Sequence, residues 1–271
     1  MGRLRQPAEP LWHHPASSQQ EANLPAKTID QVIEQLDQVI DRARREKSRL
    51  GYFACLYRSV TVTVKEGIEG GRFEDGPRME RLDVTFANLY LEALEAFRRG
   101  ARAPRSWTIA FEKANSWRPL ILQHLLLGMN AHINFDLGVA AARTAPGAAL
   151  PSLKKDFDEI NALLGEMLEV VQDMITRVSP WMGILDRVGG RHDEIIGNFG
   201  LRRARDVSWH AAQRFATLSP ARASEELDRL DRVVAMTAIP IHSPGITISS
   251  KLLLARAREP NSVTKVMEAL S

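Results

Sequence analysis

One cysteine, Cys55, stands in 271 residues. That excludes an intramolecular disulfide framework and any zinc-ribbon or zinc-finger arrangement. Charge of one sign is equally scarce. Thirty-six Lys and Arg face 33 Asp and Glu, too small an excess to leave an electrostatic footprint for nucleic acid. The first residues carry no apolar run of signal-peptide length, and Gln6 breaks the myristoylation pattern that Gly2 would begin. Gly-x-Ser-x-Gly, His-Glu-x-x-His and the dinucleotide-binding glycine pattern do not occur. The stretch Gly189-Gly190-Arg191 is too short for a phosphate loop. Serine hydrolase, zincin metalloprotease, kinase and Rossmann dehydrogenase chemistries are thereby set aside.

What is present is an ordinary globular composition, 44% apolar and 25% charged, enough to bury a substantial core. Residues 1–26, rich in Pro, Gln, Ser and Ala without periodicity, read as an N-terminal arm. Residues 27–271 read as one all-α domain, a multi-helix bundle around a buried central helix. Ile29, Val32, Ile33, Leu36, Val39 and Ile40 recur at three- and four-residue steps behind Thr28, a natural N-cap. The run Val60-Thr61-Val62-Thr63-Val64 alternates as a strand does. However, Phe53, Leu56, Val60, Val64 and Ile68 keep helical spacing and no partner strand lies nearby, so a helix is expected. Further helices are expected at about 77–99, 105–116, 117–142, 152–178 with Ser152 as N-cap, 180–188, 192–199, 201–218, 221–237, 247–257 and 261–270. Pro240 and Pro244 should mark an extended crossing between two of them.

The 117–142 segment stands apart. Between Arg118 and Arg143 the only charged residue is Asp136. The stretch is long enough to span a bilayer, for which about 20 residues suffice. Gln123, His124, Asn130, His132, Asn134 and Asp136 would each be costly in lipid. A helix at the centre of a soluble bundle fits better, with no membrane span and a cytoplasmic location. On a helical wheel His132 and Asp136 lie about 40° apart on one ridge, and Gln123, Asn130 and Asn134 lie on the opposite side. A helix apolar nearly all round is buried, and buried polar groups need partners. Gly128, one turn before His132, removes a side chain where a helix or ligand approaches closely.

The segment Leu125-Leu-Leu-Gly-Met-Asn-Ala-His-Ile-Asn-Phe-Asp136 carries a resemblance, supported downstream by Asp156-Phe157, Asn161 and Ala204-Arg205 ahead of Trp209. The chain resembles a bacterial domain-of-unknown-function family, number 5995, over most of residues 28–270. The resemblance implies an all-helical domain of this size and no activity. The His-x-x-x-Asp helix also resembles those of zinc-dependent phospholipases C and P1-type nucleases. Those families use further His and Asp ligands and a tryptophan at the mature N-terminus, a position that Trp12 does not occupy.

His132 and Asp136 at i, i+4 suit a shared metal ion such as zinc, an oriented imidazole–carboxylate pair for acid–base work, or a plain hydrogen-bonded network. Asp206 and His210 repeat the spacing on another helix, and two facing pairs would complete a four-ligand metal site. His124, Asn130, Asn134, Asp156 and Asn161 are candidates for substrate binding. His192 with Asp193 and His13 with His14 are further candidates, and each is read more simply as a loop or a solvated pair. Two functions follow as expectations. One is a metal-assisted hydrolase with a polar cleft at His132 and Asp136. The other is a non-catalytic helical module binding an apolar small molecule or a protein partner, with the polar residues locking helices together.

Overall fold

The computed structural model of the chain describes residues 24–179 and 201–271. Helix α1 (Ile29–Glu46) opens on Thr28, whose Oγ1 accepts the Gln31 amide at 3.3 Å. It ends where Lys47 turns into the left-handed region at φ 50°. Just before it, Asn88 ties down the chain with two hydrogen bonds of 2.9 Å to the backbone of Ala26. Helix α2 (Leu50–Glu69) includes the alternating Val-Thr run. The Thr61 and Thr63 hydroxyls donate back to the carbonyls of Tyr57 and Ser59, so the threonines satisfy themselves within the helix rather than across strands. Among the described residues there is no strand. Helix α3 (Gly76–Arg98) starts on the Asp75 side chain with Pro77 in its first turn.

Helix α4 (Arg105–Ala114) is short and has no cap of its own. Asp231 supplies one. Its carboxylate accepts the amides of Arg105 and Ser106 at 2.8 and 2.9 Å and the Ser106 hydroxyl at 2.8 Å, a negative charge at the positive end of the helix dipole. That brace fixes the helix that carries Trp107.

The central rod begins later than expected, at α5 (Ile121–Ala131), passes through a single π-helical turn at His132–Asp136, and continues as α6 (Leu137–Thr144). Within it only Leu126, Met129, Asn134, Arg143 and Thr144 escape full burial. Helices α7 (Leu150–Glu166) and α8 (Leu168–Val178) replace the single helix expected over 152–178, and Ser152 lies inside the first turn instead of capping it. The two expected helices at 180–188 and 192–199, with His192 and Asp193, lie outside the described residues, as do His13 and His14. Helix α9 (Leu201–Phe215) crosses α6 closely. A Cβ on Gly138 would stand 2.7 Å from the Ser208 carbonyl oxygen, so glycine is what permits the crossing. Helix α10 (Pro220–His242) continues through Pro240, so the extended crossing expected from Pro240 to Pro244 shrinks to residues 243–245. The proline forfeits one bond, to the carbonyl of Met236, a residue exposed on the helix surface. Helices α11 (Ile246–Arg256) and α12 (Val263–Ala269) complete the chain. No helix among the described residues is long and apolar enough to cross a membrane.

Two apolar clusters form the core. Leu122 and Leu125 of the rod join α1–α4, α10 and α12 in one, and Ile133 and Leu137 join α7 and α9 in the other. The π-turn sits between them.

Candidate functional site

The π-turn shapes the site. One extra residue in the turn carries the Leu137 amide to the His132 carbonyl. The Ile133 carbonyl accepts the Ser208 hydroxyl of α9 at 2.5 Å. A side chain reaching into the backbone ladder is a recognised cause of such a bulge. Within the turn, His132 Nδ1 lies 3.3 Å from Asp136 Oδ2, and the same oxygen accepts the Trp107 indole N–H at 2.8 Å. Both side chains are buried, Asp136 to 1% exposure. Burial drives the Asp136 carboxyl well above its usual range, against the pull of the Trp107 bond. It drives His132 well below the usual imidazole range, and the nearby Arg205 charge pushes the same way. Both shifts favour the uncharged forms, a protonated carboxyl and a neutral imidazole.

Aromatic rings hold the imidazole in place. Phe86 stacks on it and Tyr57 meets it edge-on with centroids 4.4 Å apart. Phe53 and Trp107 close the ring of neighbours. The other imidazole nitrogen, Nε2, is buried with no hydrogen-bond partner.

His132 borders a cavity of about 130 Å³ walled by α2, α3, the rod, α7, α8 and α9. Its lining is almost entirely aliphatic and aromatic. Four polar side chains interrupt it: His132, Tyr57, Asp83 and Arg205. Each has a buried nitrogen or oxygen without a partner, namely His132 Nε2, the Tyr57 hydroxyl, Asp83 Oδ2, and Nε and Nη1 of Arg205. Burial, with Glu80 adding to it, raises the Asp83 carboxyl to about 7. Burial lowers the Arg205 guanidinium to about 10, which leaves it charged at neutral pH. Native interiors rarely leave buried polar groups unsatisfied, so four around one cavity set this place apart.

The other expected site residues go elsewhere. His124 faces a separate space of about 20 Å³ behind the Phe53 ring. Both its nitrogens lack partners, and burial followed by Arg49 and Arg256 lowers it to about 3. Asn130 donates to the Val234 carbonyl and accepts from Asn134 and Thr237. Asn130 and Asn134 are thus a clasp onto α10, and Gln123 makes a second through the Ile241 carbonyl. Asp156 receives the amides of Glu74 and Asp75 and the Arg78 guanidinium, bracing the loop ahead of α3. Asn161 lies on α7, and its side chain is outside the described residues. Asp206 and His210 are exposed, and His210 Nδ1 meets the Asp206 backbone carbonyl at 2.7 Å. They do not join His132 and Asp136. Among the described residues no group of three or more His, Cys, Asp and Glu is placed to hold a metal ion.

Sequence reasoning gave no role to Tyr57, Asp83, Phe86, Trp107 or Arg205. Arg205 stood beside Trp209 in the resemblance, and Asp83 is an acid among the apolar positions of α3. Those were the available signals.

A family model described as a family of unknown function (DUF5995) matches residues 29–244. No curated protein and no solved structure matches the chain.

Proposed function

The chain belongs to this family of unknown function, and from its geometry we propose that it binds a small, largely apolar molecule in the cavity beside His132. One observation carries the reading: an apolar chamber lined by four polar side chains, each with a buried and unpartnered polar atom. A cavity with a few convergent polar groups of perturbed pKa is the form small-molecule sites take. A space of about 150 Å³ lined by apolar side chains holds benzene, so this one suits a ring or a short chain. A bound molecule would offer Nε2 of His132 the partner it lacks, and the Asp136–Trp107 contact would keep the imidazole aimed.

Metal-assisted hydrolysis is favoured less. A zinc ion at Nε2 would have one imidazole, whereas catalytic zinc sites use three protein ligands. Asp136 turns its bonded oxygen to Trp107 and His132, and no further described acid or imidazole joins them.

Calorimetric titration of the full chain with toluene and with hexan-1-ol tests the reading. Saturable binding is expected, and it should be lost in the cavity-filling variant Ile160→Phe. Absence of binding by both probes, or equal binding by the filled variant, contradicts it.

A further inference from the structure

Arg205 is 4% exposed. Among the described residues no acid stands within ion-pair distance of it, and its Nε and Nη1 have no hydrogen-bond acceptor. The carboxylate whose field reaches it, Asp158, is exposed and is held by Lys154. Asp83 lines the same cavity, and no hydrogen bond joins its Oδ2 to Nε or Nη1 of Arg205. The Phe157 ring lies 5.8 Å from the guanidinium carbon. Such a contact is worth about 0.5–2 kcal/mol, well short of the several kcal/mol that burying an ion costs. A buried cation in this state lacks its counter-charge.

Resting on the binding reading above, we infer that the molecule held in this cavity is a small carboxylic acid bound as its carboxylate, with the charge against Arg205 and the apolar part along the aliphatic wall. Arginine nitrogens are donors only, so their missing partners must be acceptors. A single guanidinium balances a monoanion. A phosphate dianion would bring more charge than one Arg205 offsets. His132 lines the same cavity and its Nε2 is unpartnered, so that nitrogen is the donor offered to the second carboxylate oxygen when the Asp136 proton bonds to Nδ1. An alcohol or hydrocarbon of the same shape would fill the cavity and leave the cation unpaired.

The test compares hexanoate with hexan-1-ol, titrated calorimetrically into the full chain at pH 7, for the wild type, Arg205→Met and Arg205→Lys. Hexanoate should bind the wild type at least about tenfold tighter than hexan-1-ol, the discrimination that charge-assisted hydrogen bonds give. Arg205→Met should lose that preference while hexan-1-ol stays within about threefold, and Arg205→Lys should keep most of it. Hexan-1-ol binding as tightly as hexanoate would overturn the carboxylate assignment and leave the binding reading standing. Binding of neither probe would overturn both. Should Arg205→Met fail to fold, the wild-type ratio and Arg205→Lys decide the matter.

Discussion

The ring of His132 lies flat on that of Phe86, with centroids 3.5 Å apart and planes 7° from parallel. Aromatic pairs prefer offset or edge-on contacts at longer range, so this stack is imposed by what surrounds it. Tyr57 presses from the side, and Asp136 holds Nδ1. With one face covered, one edge packed and one nitrogen bonded, the imidazole is held in one orientation before any ligand arrives. Phe86→Leu should therefore lower stability by about 1–3 kcal/mol through lost packing. It should also weaken hexan-1-ol binding more than tenfold, as read by denaturant unfolding and calorimetry.

The shared oxygen of Asp136 gives a second prediction. If the carboxyl carries its proton, an amide replaces it without loss of charge and still accepts the Trp107 N–H. Asp136→Asn should cost less than about 1 kcal/mol, whereas Asp136→Ala strands a buried indole donor and opens space, costing about 2–4 kcal/mol. Urea unfolding of the two variants separates them.

Asp83 makes stability depend on pH with a definite sign. Its folded pKa of about 7 stands above the ordinary value of 3.8, so the folded state holds a proton that the unfolded state releases. Its contribution is fully present below pH 3.8 and is lost as pH rises towards 7, at about 1.4 kcal/mol per pH unit. Asp83→Asn should be more stable than wild type at pH 8 by several kcal/mol and near parity at pH 4. Thermal unfolding across that range measures the difference.

His124 acts in the opposite direction. Burial holds it at about 3, below the ordinary 6.5, so acid protonates the unfolded chain first and stability falls as pH drops from 6.5 towards 3. His124→Leu should remove that loss. At pH 5 the variant should regain about 2 kcal/mol on wild type relative to pH 7, measured by denaturant unfolding at both values.

A Cβ at Gly128 would stand 2.5 Å from Cδ2 of Phe53, the ring between the His132 and His124 spaces. Gly128→Ala gains helix propensity of about 1 kcal/mol and loses more to overpacking, for a net destabilisation of about 1–2 kcal/mol. Thermal unfolding checks it.

The near absence of charge between Arg118 and Arg143 made the rod legible in the sequence, and with it the burial of His132 and Asp136. Gly128 announced the close approach that Phe53 makes. The π-turn was not legible, because it leaves no mark in periodicity and the Ser208 hydroxyl that meets its Ile133 carbonyl comes from a helix some seventy residues on. Trp107 reaches Asp136 from α4, a helix whose start is braced by Asp231 on α10. The long-range pairing of single residues has no local pattern to read. Asn130, polar and buried, resembled a ligand-binding residue for the same reason: its partners Val234 and Thr237 lie far along the chain.

The most direct test follows the imidazole nitrogens of the seven histidines by nitrogen NMR at pH 7 while hexan-1-ol is added. A saturable shift confined to Nε2 of His132, absent from Ile160→Phe, is the predicted result. A His132 signal unmoved at saturating hexan-1-ol, or shifted equally in the filled variant, would contradict a ligand chamber at the π-turn.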